Sequence, residues 1–276
     1  MRIIDPHVHI WKNDPAFPYA PETVNPPADD ATPEMLLELM QANGVEKTVI
    51  VQVIHYRWDN TYTAYALKKY PEKFMGVCRV NPEDPAAPDH LSFWTEQHGF
   101  HGVRLSPYPG PSGDWFTGPY MDPLFKRAEN LGVPMLILTR PERLRELATL
   151  LDRYSKLNVV IDHMADCSPD NPADIQILLN MARYPNVYVK ISHTWNISRQ
   201  SYPWKDTHDL VKRVYEAFGA KRIMWATDWP VCLNNTVYSR TLSVVRDEMG
   251  FITLEDLEWI LGKTALTLWN FGEHIG

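Results

Sequence analysis

RIIDPHVHI, residues 2–10, opens the chain with an apolar run that carries an acid and two histidines at alternate positions. In a β-strand, side chains two residues apart share a face, so Asp5, His7 and His9 are predicted to point the same way. The two histidines fall near the C-terminal end of this strand, and Asp5 lies one layer deeper. Three polar groups on one face indicate either a polar piece of core or a cluster around a metal or a substrate.

Further β-branched apolar runs follow along the whole chain, and helix-like segments separate them. The runs cover residues 47–54, 74–80, 101–106, 133–139, 158–164, 186–192 and 222–228. Strands that alternate with helices favour parallel pairing, and eight of them predict an α/β protein with the (β/α)8 TIM barrel fold. Barrels of this type often have about 250 residues, so we expect residues 1–276 to form a single domain.

The predicted loops differ in length at the two ends of the barrel. Segments that lead into strands are short, whereas several that leave strands are long and rich in aromatic residues and prolines, namely 11–31, 107–120, 193–204 and 229–235. Strand-to-helix loops of a barrel all emerge at its C-terminal face, where active sites of this fold are built. Tolerated insertions are the alternative, but they would not favour one face.

Polar residues at the ends of other strands are predicted to meet His7 and His9 at this face. His163 is interpreted as the last inward position of strand 158–164, and Asp228 ends strand 222–228. Imidazole and carboxylate suit Zn²⁺ or a related divalent ion, and a catalytic site leaves one position open for water. The alternatives are a satisfied core histidine at His9 and a capping role for Asp228.

The composition of the chain limits the kinds of molecule that the protein is expected to bind. The net charge is -7 and the chain has no run of Lys and Arg, which argues against nucleic acid and anionic membranes. No apolar stretch reaches the roughly 18 to 20 residues of a membrane span, and no signal peptide is predicted. Three widely spaced cysteines fit a reduced, cytoplasmic protein. We expect a small-molecule substrate and leave homo-oligomerisation open.

Several motifs together resemble the amidohydrolase superfamily: DPHVHIW, GVRLSP, VVIDHMA, VYVKIS, RIMWATDWP and ILGKTALTLWNF. More narrowly, they resemble amidohydrolase family 2, the branch of 2-pyrone-4,6-dicarboxylate lactonase and the sugar-acid lactonases. The resemblance runs from Asp5 to Phe271. It implies that Asp228 removes a proton from the attacking water, and that His7, His9 and His163 hold a metal or polarise the substrate carbonyl.

The activity that the resemblance implies is hydrolysis of a lactone with an acidic or sugar-acid character. One divalent metal, zinc first, is the implied cofactor, with His7, His9, His163 and Asp228 as ligands; metal-independent action is left open. The apolar run 135–138 lacks the lysine that bridges two metals in the family, which argues against a binuclear site. Alternatives are a metal-dependent decarboxylase of the same superfamily and a non-catalytic ligand-binding barrel.

Residues near the mouth are candidates for substrate binding. Arg104 forms either a buried ion pair or a contact to a substrate carboxylate or lactone oxygen. Lys190 belongs either to a polar layer inside the barrel or to the substrate site. The loop residues expected to line the substrate are His55, Tyr56, Arg57, Trp115, His193, Trp195 and Trp229, which Tyr108 could join.

Overall fold

The computed structural model describes residues 1–106 and 115–272; Tyr108 and His274 lie outside them. Within these residues, parallel strands form one eight-stranded sheet in sequence order. The strands are β1 Ile4–Val8, β2 Lys47–Val51, β3 Phe74–Cys78, β4 Phe100–Leu105, β5 Met135–Ile137, β6 Val159–Ile161, β7 Val187–Lys190 and β8 Ile223–Met224. The predicted (β/α)8 barrel is confirmed, with strands shorter than the sequence runs.

Helices connect successive strands and cover the outside of the barrel. They are α1 Pro33–Asn43, α2 Thr61–Lys69, α3 Ala87–His98, α4 Met121–Leu131, α5 Leu144–Leu151, α6 Pro172–Leu179, α7 Thr194–Ile197, α8 His208–Phe218, α9 Tyr238–Ser243, α10 Leu254–Glu258 and α11 Thr264–Leu268. Short 3-10 turns lie at Ile54–Tyr56, Trp115–Thr117, Pro141–Arg143, Asn180–Arg183, Lys205–Thr207, Ala220–Arg222 and Val231–Asn234, and π-helical turns at Val244–Glu248 and Trp259–Lys263. None of the described helices combines the length and apolar composition that would cross a membrane.

The segment that follows β8 closes the barrel against β1. The backbone N–H of Asp228 donates to the carbonyl of His7 at 2.9 Å, and the N–H of His9 donates to the carbonyl of Trp229 at 2.7 Å. Val8 and Trp229 therefore form a parallel bridge. Because these bonds join the two ends of the sheet, the segment that carries Asp228 is fixed beside both histidines.

Alternate side chains of the strands fill the barrel interior. Val49, Val77 and Val160 belong to a buried cluster that Trp269 closes from the C-terminal end of α11. Their sequence neighbours pack outward under the helices in a second, larger cluster. This period of two follows from the pleat of the strands, and it decides which residues at the strand ends face the mouth.

One irregularity in β1 changes the direction of Asp5. Asp5 pairs with Thr48 and Val8 pairs with Ile50, so β1 holds one more residue than β2 over this interval. An extra residue inverts the alternation beyond it. Asp5 consequently points outward and accepts a hydrogen bond from Tyr238 of α9 at 2.9 Å. The prediction that Asp5 shares a face with His7 and His9 is wrong for this reason.

Candidate functional site

The structure brings together His7, His9, His163 and Asp228, the residues that the sequence placed at the mouth. The Nε2 atom of His9 lies 3.1 Å from Oδ1 of Asp228, and Nε2 of His7 lies 3.6 Å from the same oxygen. The ring centroids of His7 and His163 are 4.7 Å apart. All four side chains are at most 4% exposed, so they form one buried cluster.

His163 reaches this cluster through a left-handed turn. Val160 faces the barrel interior, so strand parity directs Asp162 inward as well and would direct His163 outward. His163 instead has φ 53° and ψ 35°, a conformation that is uncommon outside glycine. The interpretation of His163 as the last inward position of the strand is therefore incomplete, because adjacent Asp162 and His163 both enter the mouth.

Asp162 organises a layer of charge directly below His7. It is fully buried, and its carboxylate contacts Nζ of Lys190 at 3.0 Å and Nε of Arg104 at 3.1 Å. Burial alone would raise the pKa of Asp162, but Lys190, His7 and Arg104 hold it well below its usual value. Arg104 therefore makes the ion pair that was one of its two predicted roles.

Lys190 links this layer to His7. Its Nζ atom lies 2.9 Å from Nδ1 of His7, which is also 3.3 Å from Oδ1 of Asp162. Burial and the Lys190 charge lower the pKa of His7 to about 3, so the imidazole is neutral at pH 7. Burial also lowers the pKa of Lys190. Because Lys190 is fully buried, these contacts describe a support for His7 and Asp162, and substrate contact by Lys190 stays a prediction.

His193 contacts the candidate base directly. Its Nε2 donates to Oδ2 of Asp228 at 2.7 Å, its Nδ1 donates to Oδ1 of Asp166 at 2.9 Å, and its ring stacks on His163 at 3.5 Å. Burial opposes protonation, but the two carboxylates raise the pKa of His193 to about 9. Burial likewise opposes ionisation of Asp228, yet the hydrogen bond from His193 and the neighbouring imidazoles hold its pKa well below the usual value. At neutral pH the pair is an imidazolium and a carboxylate.

The outward-facing Asp5 supports the segment that carries Asp228. It accepts hydrogen bonds from the backbone N–H of Thr227 at 3.1 Å and from the Thr227 hydroxyl at 2.5 Å, besides the one from Tyr238. Burial outweighs these bonds and raises the pKa of Asp5 to about 6. Asp5 thus anchors the residue that precedes the candidate base.

Overlapping sets of three side chains in this cluster could hold a divalent ion. One ligand atom each from His7, His9 and Asp228 lie within 4.8 Å of one another, as do atoms from His163, His193 and Asp228. Nε2 of His7 and Oδ1 of Asp228 are buried and have no hydrogen-bond partner among the described residues. His9 donates from Nδ1 to the carbonyl of Val51 at 2.7 Å, which directs its Nε2 lone pair towards Asp228. Such a second bond is typical of histidines that ligate metals.

The loop residues proposed as substrate walls occupy different positions. His55 is half-buried with its ring 5.4 Å from that of Trp11, and Trp195 lies 4.8 Å from the His193 ring. The hydroxyl of Tyr56, 2% exposed, is bound by the backbone N–H of Lys12 at 3.0 Å and donates to its carbonyl at 3.1 Å. Tyr56 therefore ties two loops together, which does not support a wall role.

The remaining wall candidates are Arg57, Trp115 and Trp229. Arg57 is partly buried in a left-handed conformation with φ 51°. Trp115 is half-buried and packs against the apolar core. Trp229 is buried and lines a cleft together with Trp11 and Asp29. Their contact with a substrate stays a prediction.

Sequence reasoning missed several residues of the site. Asp162 and Asp166 were not singled out, although they lie one and three residues from His163. Ser192 was also missed, and its hydroxyl lies 2.7 Å from Nδ1 of His163. Arg79 was also missed, although it follows β3 with the same parity as the inward Val77. An arginine at an inward position of a strand end is the same signal that identified Arg104.

Comparison with known proteins agrees with this geometry. A family model described as Amidohydrolase matches residues 4–271. L-fucono-1,5-lactonase of Burkholderia ambifaria is 27% identical over 234 residues, which cover 83% of this chain and 80% of the relative. 4-Sulfomuconolactone hydrolase of Hydrogenophaga intermedia is 26% identical over 232 residues, with 82% and 74% covered.

A solved structure shows the same fold over almost the whole chain. An amidohydrolase of Burkholderia multivorans, crystallised with bound zinc, superimposes with a TM-score of 0.82 at 20% sequence identity. The match covers 98% of this chain and 99% of that chain. The barrel and its strand order are therefore common to both proteins.

Proposed function

The chain belongs to the amidohydrolase family, and from this premise we propose that it is a hydrolase that opens a lactone, with Asp228 as the base that activates water. The observation that carries the proposal is the state of Asp228. It is an ionised carboxylate with one oxygen bound by His193 and the other, Oδ1, without a hydrogen-bond partner among the described residues. Lactone-hydrolysing relatives support the choice of reaction.

The reaction begins with a water molecule that donates a hydrogen bond to Oδ1 of Asp228. Asp228 takes one proton as the water oxygen attacks the ester carbon. The carbon–oxygen bond within the ring then breaks, and the proton passes from Asp228 to the departing ring oxygen. The product is the open hydroxy acid. His193 keeps Asp228 ionised and oriented during the cycle.

His7 provides a donor for the negative charge that develops on the ester carbonyl oxygen. When Lys190 donates to Nδ1 of His7, the proton of the neutral ring lies on Nε2, which faces Asp228 and is unpartnered among the described residues. A donor that is fixed before the reaction stabilises a developing oxyanion, and removal of one typically costs about 10² to 10³ in rate. This arrangement supports metal-free catalysis.

The same residues could hold one divalent ion, and we propose zinc as the first candidate. His7, His9, His163 and Asp228 would supply the imidazole and carboxylate ligands that zinc prefers. His7 would then carry its proton on Nδ1 and donate it to Asp162, 3.3 Å away. A bound ion would add Lewis acidity at the ester carbonyl.

We place this activity in a single barrel domain of residues 1–276 that acts on a small molecule in the cytoplasm. Cys78, Cys167 and Cys232 are free and buried, which supports a reducing compartment. The net charge of -7 supports a partner other than nucleic acid. Homo-oligomerisation stays open.

The test replaces Asp228 by Asn and measures acid release from a panel of lactones at constant pH. We expect wild-type folding and a fall in kcat of about 10² to 10⁴, the usual contribution of a positioned base. Asp209→Asn, at an exposed position, is the matched control and should keep full activity. Unchanged turnover in Asp228→Asn would exclude the base role, and release of carbon dioxide from aromatic acids in place of lactone opening would favour the decarboxylase.

A further inference from the structure

A buried guanidinium at the mouth has no role in the mechanism above. Arg79 directly follows β3 and is 1% exposed. Met75 and Val77, which share its strand parity, face the barrel interior, so the Arg79 side chain is directed inward beside Arg104 of the neighbouring strand. Its low exposure does not exclude contact with a substrate, since Asp228, the proposed base, is itself only 3% exposed.

The structure fixes one edge of Arg79 and leaves the other unpaired. Nη1 donates to the hydroxyl of Ser106 at 2.9 Å, and the side chain lies 5.6 Å from the Trp58 ring. The Arg79 backbone is held on both sides, since its N–H donates to Asn60 and its carbonyl accepts from the same side chain. Nε and Nη2 have no hydrogen-bond partner among the described residues.

Nε and Nη2 form the edge with which arginine binds a carboxylate through two parallel hydrogen bonds. This chain uses that edge elsewhere: Arg2 binds both oxygens of Glu46 through Nε and Nη2, at 2.9 and 2.6 Å. Buried guanidinium groups are normally paired, because an unpaired donor in the interior is costly. The open edge of Arg79 therefore offers the two parallel donors that a carboxylate binds.

The charge around Arg79 also favours an anion. Burial, Arg104 and Arg57 lower the pKa of Arg79 to about 9, and Asp162 partly opposes them. The guanidinium remains protonated at pH 7. Asp162 is already paired with Arg104 and Lys190, so this side of the mouth carries surplus positive charge in a chain whose net charge is -7.

We propose that Arg79, steadied by Ser106, binds a carboxylate substituent of the substrate and so selects carboxylated lactones over neutral ones. This assignment rests on the proposed lactone hydrolysis for its substrate class. Asp228 and the histidines act on the ester, and Arg79 holds the far end of the same molecule. Arg79 is thus a residue that sets specificity and takes no part in proton transfer.

The kinetic test compares 5-oxotetrahydrofuran-2-carboxylate with the corresponding carboxamide, a neutral lactone of nearly the same shape. Arg79→Met should lower kcat/KM for the carboxylate about 10- to 100-fold, the effect of a lost hydrogen-bonded charge contact, and change the carboxamide value less than about 3-fold. Arg79→Lys keeps the charge but lacks the fork, and should fall between. Arg145→Met, at an exposed position, is the matched control. Equal losses for both lactones would overturn the assignment.

A binding test separates this assignment from the proposed function. Glutarate, a dicarboxylate without an ester, is titrated calorimetrically into wild type, Arg79→Met, Arg79→Lys and Arg145→Met. We expect binding by wild type and Arg145→Met, at least 10-fold weaker binding by Arg79→Met, and an intermediate affinity for Arg79→Lys. Arg79-dependent binding without turnover of any lactone would reject only the hydrolase, and glutarate binding that is absent from wild type or unchanged in Arg79→Lys would reject the carboxylate site. The Lys variant keeps the test decisive if the Met variant does not fold.

Discussion

Replacement of His193 by Gln tests the electrostatics of the candidate base. His193 bridges Asp228 and Asp166 with its two ring nitrogens, and Gln can offer a donor to one of them but carries no charge. The variant also loses the stacking on His163. The ion pairs are lost when His193 loses its proton, whereas the stacking changes little. Measurements at two pH values therefore separate the two contributions.

The magnitude follows from the pKa of His193. Burial lowers this pKa, but the hydrogen bonds to Asp166 and Asp228 raise it from 6.5 to about 9. At about 1.4 kcal/mol per pH unit, the difference corresponds to about 3 kcal/mol of folding free energy. Because the folded pKa lies above the unfolded one, this stabilisation is fully present below pH 6.5 and is lost as the pH rises through about 9.

The assay is urea unfolding of wild type and His193→Gln at pH 6 and at pH 10, with a chelator present. We expect the difference in unfolding free energy between the two proteins to be about 3 kcal/mol larger at pH 6. His90→Gln, at an exposed histidine, is the control and should show no such pH dependence. A difference that is equal at both pH values would refute the view that His193 is a cation held by two carboxylates.

Two further predictions concern the polar layer and the metal. Lys190→Met should destabilise the protein by about 3 kcal/mol in urea unfolding, because buried Asp162 loses one of its two cations. The control Lys212→Met, in an exposed pair, should cost less than about 1 kcal/mol. Equal losses in the two variants would contradict the burial argument. Wild type that is loaded with zinc and then dialysed should retain one ion per chain by elemental analysis, whereas His9→Gln should retain at least 10-fold less; equal retention by both would remove His9 from the ligand set.

The fold could be predicted because its signal is repeated along the chain. Each strand run is apolar and β-branched, and each long aromatic loop leaves a strand at the same face. The alternation of inward and outward side chains was predictable only where the strands are regular. The extra residue in β1 reverses the direction of Asp5, and no residue type in DPHVH predicts this irregularity.

The clustering of His7, His9, His163 and Asp228 was predicted, but the residues around them were predicted less well. His7 and His9 lie at the end of β1, and Asp228 follows β8 by four residues. His163 instead enters the mouth through a left-handed turn, which strand periodicity does not predict. The ion pairs of Arg104 and His193 were harder to predict, since their partners follow other strands. Arg79 shows the opposite case. Its inward direction could be predicted from the sequence, and what distinguishes it from a structural arginine is that Nε and Nη2 have no hydrogen-bond partner among the described residues.

The hydrogen bonds that join residues 228 and 229 to β1 make Asp228, the proposed base, part of the barrel's closing seam. A change that loosens that edge would disturb both the proposed proton transfer and the barrel itself, which leaves little freedom for substitution there. Arg79 and Ser106 directly follow β3 and β4, outside the seam. If Arg79 binds the substrate as proposed, substitutions on that side would change substrate preference without disturbing the closure of the barrel.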